Sequence, residues 1–220
     1  MAEEKRDVPD KAARLQVETH YMQAHNYAKF GMYDNAIAEY KKALEIAPEF
    51  DNARFELGLA YVNTERLDDA INEFKKTIEI NPNHPRVVYE LALAYYDKGM
   101  TDEGIALCRA RLSDNDPKKG NLHSLLGVLY IKKGDIDQAI PEFRKQIKAE
   151  HHPEMGYLNL GMALVKKGDQ DEAIEAFKES IKLNSRNPRA HYQLGNAYLK
   201  KGMKKEAEEE MAAYGRLTGQ

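Results

Sequence analysis

Along residues 51–84 the apolar positions recur at helical intervals in two separate runs. Leu57, Gly58 and Tyr61 fall three to four residues apart, and so do Ala70, Ile71, Phe74 and Ile78. Each run therefore forms one apolar stripe on an otherwise polar helix. Thr64, Glu65 and Arg66 separate them, and Pro82 closes the second because it has no amide to donate to a continuing helix. The stretch predicts helix, turn, helix, stop.

The same pattern returns along the chain, with unit starts at residues 17, 51, 85, 120, 154 and 188. The period is 34, with one extra residue between the third and fourth starts. The eighth position is small in every copy: Ala24, Gly58, Ala92, Gly127, Gly161 and Gly195. So is the twentieth: Ala36, Ala70, Gly104, Ala139, Ala173 and Ala207. The expectation is that two helix backbones touch where these small residues face each other, and that a Leu-sized side chain there overpacks by roughly 1–3 kcal/mol.

A 34-residue helical hairpin with Tyr27, Tyr61, Tyr95, Tyr130 and Tyr198 at its eleventh place, and Tyr40, Phe74, Phe143 and Phe177 at its twenty-fourth, resembles the tetratricopeptide repeat family. Departures are Leu164 at the eleventh place, and Cys108 and Met211 at the twenty-fourth. The resemblance implies an all-α fold, a right-handed α-α superhelix of six helical hairpins forming a single solenoid over residues 10–220. Residues 1–9 are expected to be disordered. In the sixth hairpin Glu208 and Gly215 replace the aliphatic residues of earlier copies, so its second helix is expected to act as the C-terminal cap.

Composition adds exclusions. Hydrophobic residues make up 42% and charged residues 31%, as amphipathic helices with wet outer faces require. The only cysteine, Cys108, lies on a core stripe and leaves no partner for an internal disulfide. The N-terminus carries no apolar run, so neither signal peptide nor membrane insertion is expected, and the cytoplasm is the expected compartment.

No catalytic chemistry is legible. There is no phosphate-cradling glycine loop, no paired cysteines and no metalloprotease helix motif, so no enzyme, cofactor or metal is expected. Asp114 and Asp116 begin like a calcium loop, but Lys118 takes a ligand place and Gly120 comes one residue late. His20, His123 and His191 hold the fourth position and read as core filler; His151 and His152 read as an exposed turn. Pro141 falls early in the second helix of the fourth hairpin, where its missing amide is expected among the unpaired first-turn donors.

Binding is what remains. In the resembled family the first helices line a concave groove, which here places Tyr21, His25, Phe55, Leu59, Tyr89, Leu93, Tyr96, Leu158, Tyr192 and Asn196 towards a partner. Tyr21, Phe55 and Tyr89 form an expected aromatic strip. Other members of the ninth and twelfth rows, such as Val128, Met162, Ile131, Val165 and Leu199, divide between binding and packing one first helix on the next. The family's carboxylate clamp needs Lys in the fifth row, which has none, and Asn in the ninth, where only Asn196 fits. The clamp is therefore rejected.

Charge is uneven. Glu18, Glu56, Glu90 and Asp97 fall in the first half of the groove, and Lys132, Lys166, Arg189 and Lys200 in the second. With a net charge of -3, nucleic acid is a poor partner. The expected function is an adaptor or scaffold that takes a protein or peptide in an apolar groove. The alternatives are a structural protein assembling with itself into a homo-oligomer, and an accessory factor for a bacterial surface or secretion machine.

Overall fold

The computed structural model describes residues 11–112, 120–150 and 152–219. The N-terminal decapeptide, the inserted residue near Asp114 and Asp116, and His151 lie outside them; His152 is exposed.

Twelve α-helices and no strand occur among the described residues. They are α1 (Lys11–Lys29), α2 (Tyr33–Ile46), α3 (Asp51–Asn63), α4 (Leu67–Ile80), α5 (Val87–Lys98), α6 (Thr101–Arg111), α7 (Gly120–Lys133), α8 (Ile136–Ala149), α9 (Glu154–Lys167), α10 (Gln170–Leu183), α11 (Pro188–Lys200) and α12 (Lys204–Thr218). They fall into two compact units, residues 1–100 and 101–220.

In the first unit α1 packs on α2 and α3 on α4, and α5 packs on α4. In the second, α7 with α8, α9 with α10 and α11 with α12 form hairpins, and α6 packs on α7. Successive first helices also touch: α1 on α3 and α3 on α5, then α7 on α9 and α9 on α11.

The turn inside each hairpin requires a left-handed residue, which is Gly31, Gly99, Gly134, Gly168 and Gly202 in five copies. In the second hairpin the same place is held by Glu65 at φ 59°.

The small eighth position has a more specific cause than backbone contact. A Cβ on Gly58 would lie 2.5 Å from Cε1 of Phe74, and one on Gly127 would lie 2.5 Å from Cε1 of Phe143. The aromatic ring of the twenty-fourth position is seated on the glycine, so the two positions are one packing unit. Phe74, Phe143 and Phe177 are accordingly buried.

The histidines of the fourth position are not simple filler. His20 Nδ1 donates to Glu39 Oε2 at 2.6 Å, and His191 Nδ1 donates to Glu210 Oε2 at 2.6 Å. In the second hairpin Arg54 takes the histidine's place and donates to Glu73 Oε2 at 2.7 Å. Lys42 and Lys76 bond the second oxygens of Glu39 and Glu73. The Lys42 bond is the largest influence holding the Glu39 carboxyl below the usual carboxylate range.

A second ladder ties each repeat to the one before. Lys98 pairs with Asp68, Lys133 with Asp102 at 2.8 Å, Lys167 with Asp137 at 3.1 Å and Lys201 with Asp171. The aspartates are exposed, so each rung adds little stability and mainly fixes direction.

Pro141 is the sixth residue of α8, beyond the first-turn donors. The carbonyl of Asp137 therefore lacks its usual helical donor, and the exposed position of Pro141 leaves that carbonyl side open to water.

Candidate functional site

The groove residues expected from the sequence divide by burial. Phe55 is 2% exposed and Leu158 fully buried, so neither is available to a partner. Their position points down between the helices of the hairpin: the Phe55 ring lies 5.7 Å from Phe74 and 4.4 Å from the His84 imidazole. The aromatic strip is thus broken at its centre by a core residue.

The other first-unit candidates remain at the surface. Tyr21, Leu59, Tyr89, Leu93 and Tyr96 are half-buried and His25 is exposed. The Tyr21 ring stacks on His25 at 6.5 Å and meets Phe50 at 5.0 Å. Burial, then the charges of Glu56 and Asp51, push its hydroxyl above the ordinary tyrosine value. Burial raises Tyr89 as well, with Glu90 adding to it.

The second unit holds a formed cleft. Between α7, α9 and the start of α11 lies a cavity of about 380 Å3 lined by Val128, Ile131, Asn159, Met162, Lys166 and Arg189, with Phe143 and Ala163 behind. Between α9 and α11 a further cavity of about 310 Å3 is lined by Val165, Gln193, Asn196, Leu199 and Lys200. Helix periodicity brings the ninth and twelfth rows of consecutive first helices to the same side, so their aliphatic side chains converge as walls. In this unit those rows open to solvent as well as packing.

Its electrostatics are one-sided. Lys166, Arg189 and Lys200 are exposed, and Arg189 extends over the cleft to within 3.4 Å of Met162 Sδ. Among the described residues no ion pair engages these three cations, whereas the adjacent Lys167 and Lys201 are spent on the inter-repeat ladder. Lys132 is exposed nearby. Tyr192, 43% exposed, lies with its ring 5.3 Å from Tyr214 rather than in the cleft.

Cys108 is buried, and burial pushes its thiol up to about 12, so the nucleophilic thiolate is absent at neutral pH. Among the described residues no group of His, Cys, Asp and Glu could hold a metal ion, and no helix is long and apolar enough to cross a membrane.

Lys166 and Arg189, expected from the sequence in the second half of the groove, line the cavity between α7, α9 and the start of α11, as do Met162 and Val128, which the sequence left divided between packing and binding. The signal present was a flexible Met162 following Val128 in the ninth row, with Lys166 four residues further along the same helix.

An all-helical stack of hairpins with a solvent-open apolar cleft along its first helices defines a helical repeat solenoid. The chain belongs to the tetratricopeptide repeat family: its models match residues 27–87 and 65–116, 124–177, and 161–202. No curated protein matches the chain by sequence. Among solved structures, PilF of Pseudomonas aeruginosa is similar over 94% of each chain at 17% identity, with a TM-score of 0.75. A tetratricopeptide repeat protein from Parabacteroides merdae is similar over 90% of this chain and 78% of its own, at 17% identity and a TM-score of 0.76. YrrB, described as having an unusual peptide-binding site, aligns over 81% of this chain and 91% of its own, at 20% identity and a TM-score of 0.61. These likenesses are of fold, and both family and fold are those of protein–protein interaction scaffolds.

Proposed function

We propose that this chain is a protein-binding scaffold whose second unit seats an extended or helical segment carrying aliphatic anchors and acidic residues. The observation that carries the reading is the cleft of Val128, Ile131 and Met162 under Lys166 and Arg189, cations without a carboxylate in the described residues. An apolar anchor desolvates the cleft, and acidic residues beside it meet Lys166, Arg189 and Lys200 at the rim. Ordering a flexible segment offsets much of the contact energy, so affinity falls in the micromolar range, about -8 kcal/mol.

A displayed peptide library selected on the wild-type protein and counter-selected on Met162→Arg tests this. Enrichment of sequences that pair Leu, Ile or Val with Asp or Glu is expected. Their binding should weaken in Lys166→Glu, Lys200→Glu protein and at high salt. Selected peptides that are basic, that bind the Met162→Arg variant equally, or no enrichment at all would sink the reading.

A second reading, self-association, is favoured by Leu15, Met22, Phe30 and Met32, which are 65%, 59%, 77% and 46% exposed on the first hairpin. Sedimentation over a concentration series separates the two: a monomer throughout leaves the scaffold reading alone. The likeness to PilF assigns no place in a bacterial surface machine.

A further inference from the structure

The two cavities of the second unit are the same place in consecutive repeats. The first is lined by Ile131, Asn159, Met162, Ala163 and Lys166, the second by Val165, Gln193, Asn196, Ala197 and Lys200. Each residue of the second set stands thirty-four positions after its counterpart in the first, one repeat period on. Helix α9 is the wall between them, giving Met162, Ala163 and Lys166 to one side and Val165 to the other. The two linings differ in kind at one pair above all: where the first cavity has Met162, the second has Asn196.

The first cavity is walled by the half-buried side chains of Val128, Ile131 and Met162. The Asn159 amide beside them is engaged within the protein, donating to Ser124 Oγ at 3.4 Å and Gln146 Oε1 at 3.5 Å. In the second cavity Gln193 and Asn196 are half-buried, and among the described residues no hydrogen bond engages either amide. Lys200 stands exposed with them and has no carboxylate partner among the described residues. An aliphatic side chain seated here would strip water from two amides and leave them unbonded. A cationic one would meet Lys200. A carboxylate accepts from the N–H groups of Asn196 and Gln193 and takes its counter-charge from Lys200.

The repeat also sets how far apart the two seated side chains lie. Helix α9 touches both α7 and α11. Touching helices stand about 8–10 Å apart, so equivalent cavities recur at about that pitch. In a β-strand, side chains on one side recur at about 6.8 Å and again at about 13.6 Å, short of the pitch and then beyond it. An α-helix offers residues seven apart, at about 10.5 Å, but it sets a third side chain, three or four along, against the α9 wall between the cavities. In the polyproline II conformation residues three apart share a side at about 9 Å, and the two between them point elsewhere. We propose that the two cavities form one track that reads a partner segment in this extended conformation, with an aliphatic side chain in the Met162 cavity and, three residues from it, an aspartate or glutamate in the Asn196 cavity. This rests on the scaffold reading and deepens it by naming the spacing and the pair of chemistries that the second unit selects.

The test titrates blocked peptides into the full chain by calorimetry. The probes are acetyl-Gly-Leu-Pro-Pro-Glu-Gly-amide and its reverse, acetyl-Gly-Glu-Pro-Pro-Leu-Gly-amide, with versions carrying one or three prolines between Leu and Glu, and an alanine-based helical peptide with Leu and Glu seven apart. One order of the three-apart peptides should bind about tenfold tighter, or more, than any other spacing. Exchanging its Glu for Gln, or its Leu for Ser, should weaken binding about tenfold. Asn196→Met makes the second cavity a copy of the first, so this variant should prefer the three-apart peptide with Leu at both places. Equal or tighter binding at another spacing, binding of neither three-apart peptide, or an Asn196→Met variant that keeps the wild-type preference overturns the proposal. Tighter binding of acetyl-Gly-Leu-Pro-Pro-Ala with a free carboxyl terminus assigns the second cavity to a chain end and overturns it as well. Should Asn196→Met fail to fold, the peptide series on wild-type protein decides. The scaffold reading fails separately: a library selection that is lost in Met162→Arg supports it even when the selected sequences share no spacing, and that same result overturns the track.

Discussion

His123 Nδ1 donates to Glu142 Oε2 at 2.7 Å, and both side chains are buried. Lys145 takes the other carboxylate oxygen at 2.9 Å. The pair joins α7 to α8 across nineteen residues, the same separation that joins His20 to Glu39 and Arg54 to Glu73. It belongs to the hairpin's design and not to one site. Removing one partner strands the other: His123→Ala should cost about 2–3 kcal/mol in urea unfolding, as a buried charge loses a bond. The double variant His123→Leu, Glu142→Leu should recover much of that loss. Additive losses would contradict a coupled pair.

Gly127→Ala places a methyl where the Phe143 ring lies, 2.5 Å from Cε1. A cost of about 1–3 kcal/mol is expected from overpacking. Phe143→Leu in the same chain should show a coupling energy in a double-mutant cycle, because the smaller side chain makes room.

Glu65 holds a left-handed conformation at φ 59°, where the equivalent place is glycine in five other hairpins. The conformation costs a non-glycine residue about 1–2 kcal/mol, while glycine adds about 0.5–1 kcal/mol of unfolded-state entropy. Glu65→Gly should therefore stabilise by roughly 0.5–1 kcal/mol, read as a higher denaturation midpoint with an unchanged slope.

His84 is buried against Phe55, its Nδ1 without a partner. Burial holds its imidazole below the ordinary histidine value, with Arg86 adding to this and Asp51 opposing it. The sign follows: the folded state takes up a proton less readily than the unfolded chain. The stability this group contributes is full above the unfolded value of about 6.5 and is lost as pH falls through the lower folded value. Unfolding free energy measured from about pH 7 to pH 5 should decline more steeply in wild type than in His84→Gln.

The hairpin period and its stop signals were legible because stripes at helical spacing and prolines are local features. α3, α7, α9 and α11 begin at Asp51, Gly120, Glu154 and Pro188, where the repeat frame starts a unit. The pairing of the fourth position with a glutamate nineteen residues on was not read, since it crosses a turn and changes donor type from His to Arg. The burial of Phe55 and Leu158 also escaped, because a groove row defined on one helix says nothing about what the second helix lays over it.

The rungs from Lys98 to Asp68 and from Lys201 to Asp171 span thirty residues each, and the pairs within hairpins span nineteen. Contacts of such short reach close small loops, whose entropy cost rises only slowly with length. Contact order is correspondingly low, so these hairpins should form on the microsecond to millisecond scale of helical proteins, each serving as the template on which the next one lands.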